Sequence, residues 1–208
     1  MPLDGIWYAK GDDTPFEAES CYYLNFQVVS ALASIEYIMT NSPHLLSAFE
    51  NKYQYYHYHT DHLLYSIGQI SARFLISKKK DKGIALERKR MNVKNFQFSS
   101  DAFPILSDRK CRNTIEHIDE HNQKIIKLRK GVGGFNVIAE DTSPELIEVL
   151  RTQRTTHPYT LDLLNREILI VRSGEELLSI NLDSLKEELL RLLSNIKYFK
   201  KISSDPFR

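Results

Sequence analysis

Cys21, Leu24, Val28, Ala31, Ile35 and Ile38 recur at alternating spacings of three and four. That period belongs to one face of an α-helix, so this stretch predicts an amphipathic helix with a single buried stripe. Thr14-Pro15-Phe16-Glu17, just ahead of it, joins a capping-box pattern to a proline at the first helical position. Asn41-Ser42-Pro43 ends the helix and starts another. Leu63, Ile67, Ile70 and Phe74 mark a further long helix, running from the aromatic stretch Tyr53 to Tyr58 down to a lysine run. Leu106, Cys111, Ile115, Ile118, Ile125 and Leu128 mark another, closed near Lys130 by Gly131-Val132-Gly133-Gly134. Striped helices in this number imply a bundle of four to five helices. Phe96 to Pro104, a poor helix former, is expected to cross the molecule as an extended connection.

The last third changes character. Ser143-Pro144 opens a short helix through Leu150, while Tyr159 to Leu164, Glu167 to Arg172 and Glu176 to Ile180 read as short strands. Asn165-Arg166 and Ser173-Gly174 supply the turns between those strands. Ser184-Leu185-Lys186-Glu187 repeats the capping-box pattern ahead of a final helix striped by Leu185, Leu189, Leu192, Ile196 and Phe199. The expected fold class is mainly α: a helical bundle with a small C-terminal antiparallel β meander and a closing helix. Residues 1–13 read as an irregular arm, 14–130 as the bundle, and 131–208 as a small α+β part packed on it.

Composition excludes several classes. The chain has 208 residues, 42% of them hydrophobic and 26% charged, with eight Gly and seven Pro, which rules out collagen-like and low-complexity chains. No run of about 18 uncharged apolar residues is present, and Met1 to Lys10 lacks the basic and apolar regions of a signal peptide, so a cytoplasmic protein without membrane attachment is expected. Cys21 and Cys111 suit reduced core thiols better than a disulfide framework or a zinc ribbon. More long stripes are present than one small core needs, which points to self-association as a homodimer.

The near-neutral total of +1 hides a basic segment. Lys78, Lys79, Lys80, Lys82, Arg88, Lys89, Arg90 and Lys94 face only Asp81 and Glu87, a local charge of +6 that leaves −5 for the rest of the chain. Such a segment can hold a phosphate backbone, with Lys79, Lys80, Lys89 and Arg90 as candidate nucleic-acid-binding residues. The alternative is a solvated loop and helix end.

Three strings invite a chemical reading. His57-Tyr58-His59-Thr60-Asp61-His62 resembles the metal-binding signature of the metallo-β-lactamase family. On one straight helix, however, His57 and His62 project about 140° apart, so no metal site is expected there. Gly131-Val132-Gly133-Gly134 lacks the lysine-hydroxyl pair of a phosphate loop and reads as a helix stop. Within Arg109 to His121 the apolar positions define a buried face, and Arg112, Asn113, Glu116, His117, Asp119, Glu120 and His121 crowd the remaining surface.

Arg112-Asn113, three residues, then His117 resembles the R-x4-6-H motif of the HEPN superfamily, whose members are mostly bundles of four to five helices. The resemblance implies RNA as partner, a dimer with two motifs facing a shared cleft, and either metal-independent cleavage or binding alone, in a toxin or phage-defence setting. It implies no cofactor. Under it, Arg112 stabilises the phosphate, His117 moves the proton and Asn113 positions one of them, chemistry that needs a group titrating near neutrality and a cation on the phosphorane. Asp119 stands where many toxin members carry a tyrosine. A second reading stays open: Arg112 with Glu116, Asn113 with His117 and His117 with His121 are i,i+4 pairs, so the cluster also fits a polar network ordering a non-enzymatic helical scaffold or binding protein.

Overall fold

A computed structural model of the protein describes residues 15–40, 49–77, 79–116, 135–152, 159–171 and 177–203. The described residues form seven helices and a four-stranded sheet, so the chain is mainly α. Helix α1 (Pro15–Thr40) buries all six residues of the first stripe, and α2 (Lys52–Phe74) buries Leu63, Ile67, Ile70 and Phe74. Asn51 starts α2, its side-chain oxygen accepting from the Gln54 N–H at 3.0 Å. Helix α3 (Ile84–Asn95) carries the second half of the basic segment. It begins at Gly83, whose φ of +53° sets the chain's direction into the helix at a conformation that side chains disfavour.

The stretch after α3 turns rather than extends. Phe96, Phe98 and Phe103 are all buried, and the Phe98 ring stacks on Phe74 at 4.1 Å and on Phe103 at 4.8 Å. Aromatic burial thus pulls this connection into the core, with Gln97 taking a φ of +50° to allow it. The long helix expected from Leu106 is broken at Asp108 into α4 (Pro104–Ser107) and α5 (Arg109–Glu116). Residues 117–134, with Ile118, Ile125, Leu128 and the glycine run, lie outside the described residues.

Beyond them the expected antiparallel meander is present as the last three strands, and a further strand, not expected, joins its edge in parallel and makes the sheet mixed. Strand β1 (Phe135–Ile138) pairs in parallel with β2 (Tyr159–Asp162), Phe135 opposite Tyr159, and α6 (Pro144–Thr152) is the crossover between them. A parallel pair requires such a crossover. The helix was legible in the sequence, whereas a four-residue strand leaves too short a pattern to read. β3 (Glu167–Val171) and β4 (Leu177–Asn181) continue antiparallel in the order β1-β2-β3-β4. At the β2–β3 turn Asp162 Oδ1 accepts from the Asn165 N–H at 3.0 Å, and Arg166 follows at a φ of +54°.

Helix α7 (Leu182–Ser203) closes the fold, burying Leu185, Leu189, Leu192 and Ile196 against a core continuous with the other helices and the sheet. Its cap is not the expected Ser184: the Asn181 side chain accepts from the Ser184 N–H at 2.9 Å, starting the helix directly from β4. Glu188, buried on α7, accepts from the N–H groups of Ile105 and Leu106 at 2.8 and 2.9 Å and so ties the start of α4 to the closing helix. Among the described residues, no helix is long and apolar enough to cross a membrane.

Candidate nucleic-acid interface

The basic segment and the Arg112 string meet at the C-terminal end of α2. There the last carbonyls of the helix lack intrahelical partners and carry the negative end of its dipole. Three side chains from other elements donate to carbonyls at or just past this end: Asn92 to Arg73 O at 3.1 Å, Lys89 to Leu75 O at 2.9 Å, and Arg109 to Ile76 O. Helix α5 can lie this close because Gly68 of α2 has no side chain; a Cβ there would stand 3.3 Å from the Ile115 side chain.

Asp81 joins the two halves. Its Oδ2 accepts from the Ser77 N–H and from the Lys89 ammonium at 2.9 Å, the Lys89 and Asp81 side chains being only 17% and 12% exposed. The Ser77 hydrogen bond first, then Lys89, and at longer range Arg112, hold its carboxyl below the usual carboxylate range. Lys89 is therefore turned inward, at variance with its expected phosphate contact. Lys79, Lys80 and Arg90, the other three binding candidates, are exposed, as are Lys82, Arg88 and Lys94.

Arg112 lies on the flank of α5, while Cys111 and Thr114 face inward. Its guanidinium grips Glu116 through Nε at 3.0 Å and Nη2 at 2.7 Å. Asn113 is exposed on the same helix. His117, Asp119, Glu120 and His121 lie outside the described residues. Of the candidate catalytic residues, Arg112 and Asn113 thus share one short helix, and the arginine already has a carboxylate partner. Burial pushes the Cys111 thiol up to about 12, aided by Asp108 and Glu188, so it is a core thiol that stays protonated.

The histidine string is dispersed by its helix. His57 faces the sheet, stacked on Tyr159 and edge-on to Phe135, and lies 3.5 Å from Asp61, which also accepts from the Tyr159 hydroxyl. His59 is buried among Tyr37, Phe49, Tyr55 and Tyr58, and burial, reinforced by His62, lowers its pKa and favours the neutral ring. His62 turns toward α1, its Nδ1 2.9 Å from Ser34 Oγ. Among the described residues, no three His, Cys, Asp or Glu side chains are grouped to hold a metal ion.

Sequence reasoning missed Asp81 and Glu188 as keystones. A lone acid inside a lysine run is a signal that could have identified the first; nothing in the α7 stripe singles out the second. The fold and site define a mainly α protein with a mixed four-stranded sheet and a basic surface at one end of its second helix. Comparison of the chain with protein-family models, curated proteins and solved structures finds no match.

Proposed function

We propose that this protein binds RNA through the cations of the α2–α3 connection and α3, and that Arg112, held by Glu116 on α5, leaves the bound strand uncleaved. The observation that carries this reading is the inward pairing of Asp81. Because Lys89 and the Ser77 N–H neutralise it, the exposed cations Lys79, Lys80, Lys82, Arg90 and Lys94 outnumber the exposed carboxylate of Glu87 among the described residues of this segment. A one-signed surface of this kind gains affinity for a polyanion by releasing its counterions. The likeness of Arg112-Asn113 and His117 to the HEPN pattern favours RNA among polyanions.

Binding is favoured over cleavage because Glu116 occupies two of the three guanidinium nitrogens of Arg112 and sets its carboxylate against a phosphate approaching there. The same reading has the protein acting as a homodimer, supported by the exposed α1 side chains Tyr22, Phe26 and Val29, which share one helix face. The test is fluorescence anisotropy of a single-stranded RNA across a salt series, with strand integrity followed in chelator. Wild type should bind with a negative salt slope and leave the strand intact. The triple variant Lys79→Glu, Lys80→Glu, Arg90→Glu should bind more weakly, with a slope shallower by up to about 2, since each single-strand phosphate contact contributes about 0.7. An unchanged slope and affinity would refute the assignment of this surface.

A further inference from the structure

At the opposite end of α2 lies a cavity of about 470 Å³, a size typical of small-molecule sites. It opens beyond the C-terminal ends of the parallel strands β1 and β2, between the last turn of α1 and the first turn of α2. The carboxyl ends of parallel strands are where a crossover leaves room for a ligand. Ile38, Val137 and Leu163 give the cavity apolar walls, and Lys52, Glu140, Asp141 and Arg166 bring charge of both signs to it.

Two groups in this lining lack partners of their own. Tyr56 is 4% exposed, yet its hydroxyl has no hydrogen-bond partner among the described residues. That hydroxyl is not among the fully buried polar atoms left without a partner, so it reaches the cavity, where a ligand can take the place of water as its partner. Burial pushes its pKa up, so it keeps its proton and is a donor at neutral pH; Lys52 and Asp141 are both near enough to act on it. Glu140, by contrast, has no ion-pair partner among the described residues. The remaining charges are already matched, Lys52 with Asp141 at 2.5 Å and Arg166 with Asp183 at 3.4 Å. Lys52 and Tyr53, the first two residues of α2, add backbone N–H groups without intrahelical acceptors at the positive end of the helix dipole.

A simple anion would answer Tyr56 and the helix terminus but meet Glu140; a simple cation would answer Glu140 but leave the donors unmet. We propose that the cavity binds a small zwitterion with an apolar body, of the class of free α-amino acids with aliphatic or aromatic side chains. The Tyr56 hydroxyl and the start of α2 take its carboxylate, Glu140 takes its ammonium, and the apolar walls take its side chain.

Calorimetric titration with L-phenylalanine and L-leucine tests this, alongside N-acetyl-L-phenylalanine, which lacks the cation, and phenethylamine, which lacks the anion. At least one of the two amino acids should bind wild type with a dissociation constant below about 10 mM. Tyr56→Phe and Glu140→Gln should each weaken it about tenfold, with circular dichroism confirming the fold, and the half-ligands should bind wild type correspondingly less well. Glu140 is on the surface, so its variant remains informative if Tyr56→Phe disturbs packing. Failure of both amino acids to bind at about 10 mM, or equal binding by wild type and Glu140→Gln, would overturn the proposal. Equal affinity for the amino acid and either half-ligand would overturn its zwitterionic character.

Discussion

Replacing Lys89 with methionine separates a structural lysine from the surrounding cations proposed to bind RNA. Methionine keeps most of the apolar stem and removes the ammonium that bonds Asp81 and Leu75 O, both at 2.9 Å. Hydrogen bonds to a charged group are worth about 1.5–3 kcal/mol each, but the ammonium and carboxylate both retain a little solvent. Water entering the gap recovers part of the loss, leaving a net cost of about 1–3 kcal/mol. For a chain of this length that lowers the melting temperature by about 3–10 °C. A cycle with Asp81→Asn should show coupling of about 1–2 kcal/mol between the two sites. Asp81's depressed pKa also fixes a pH window. Its stabilisation is fully present above the unfolded carboxyl value of about 3.9 and is lost as pH falls through the lower folded value. Lys89→Met should shrink that acid-side loss without abolishing it, because the Ser77 N–H, the larger cause, stays in place. Thermal melts followed by circular dichroism at pH 7, and between about pH 5 and 2.5, check this. RNA affinity should change by less than about twofold, since the ammonium does not face the strand. A variant that melts like wild type yet loses RNA affinity would show Lys89 to be a phosphate ligand and refute its inward role.

Glu188→Ala should cost about 2–5 kcal/mol in urea unfolding, because it strands the buried N–H of Leu106 and the partly buried N–H of Ile105. Burial raises the Glu188 pKa, so this group's contribution is fully present below the unfolded value and declines as pH rises through the folded one; Glu188→Gln should flatten that slope. Arg112→Ala removes a partly exposed i,i+4 pair worth about 0.3–0.5 kcal/mol, so the melting temperature should fall by no more than about 2 °C with RNA affinity nearly intact. Loss of an RNA-cleaving activity in that variant would instead restore the catalytic role. Light scattering at micromolar concentration should find twice the 24.2 kDa chain mass, and Phe26→Glu should halve it; a 24.2 kDa wild-type species would exclude the homodimer.

The helical stripes were legible because burial imposes a strict period: every residue named in the α1 and α2 stripes is buried. Failures came where a short element or a long-range bond decides the geometry. β1 has four residues and is defined by its partner β2, not by its own pattern. Asn181 displaced Ser184 as the α7 cap because the helix leaves β4 without a loop, a tertiary fact that the capping-box pattern cannot encode. At the interface, charge counting found the basic surface but could not separate Lys89 from Lys79, Lys80 and Arg90, since direction depends on which cation meets Asp81. The cavity was invisible for the same reason, because Lys52 and Tyr56 of α2 meet Glu140, which follows β1 more than 80 residues later.

The geometry of α2 limits how its two ends can influence each other. With 23 residues and a rise of about 1.5 Å each, the helix separates the basic surface from the cavity by about 33 Å. Groups that far apart share no partner, so charge on bound RNA is screened well before it reaches Tyr56 or Glu140. Any coupling must pass through the helix itself. It is gripped along its length, by Tyr55 donating to Tyr37 O, by His62 at Ser34, by the Tyr23 hydroxyl donating to Gln69 and by Ser71 donating to Leu106 O. A helix held by side-chain contacts at successive turns transmits little unless it has a second arrangement to adopt, and no break interrupts α2 between Lys52 and Phe74. The proposed RNA binding and occupation of the cavity are therefore expected to be independent within one chain, leaving the α1 face proposed for self-association, at Tyr22, Phe26 and Val29, as the route between copies of the chain.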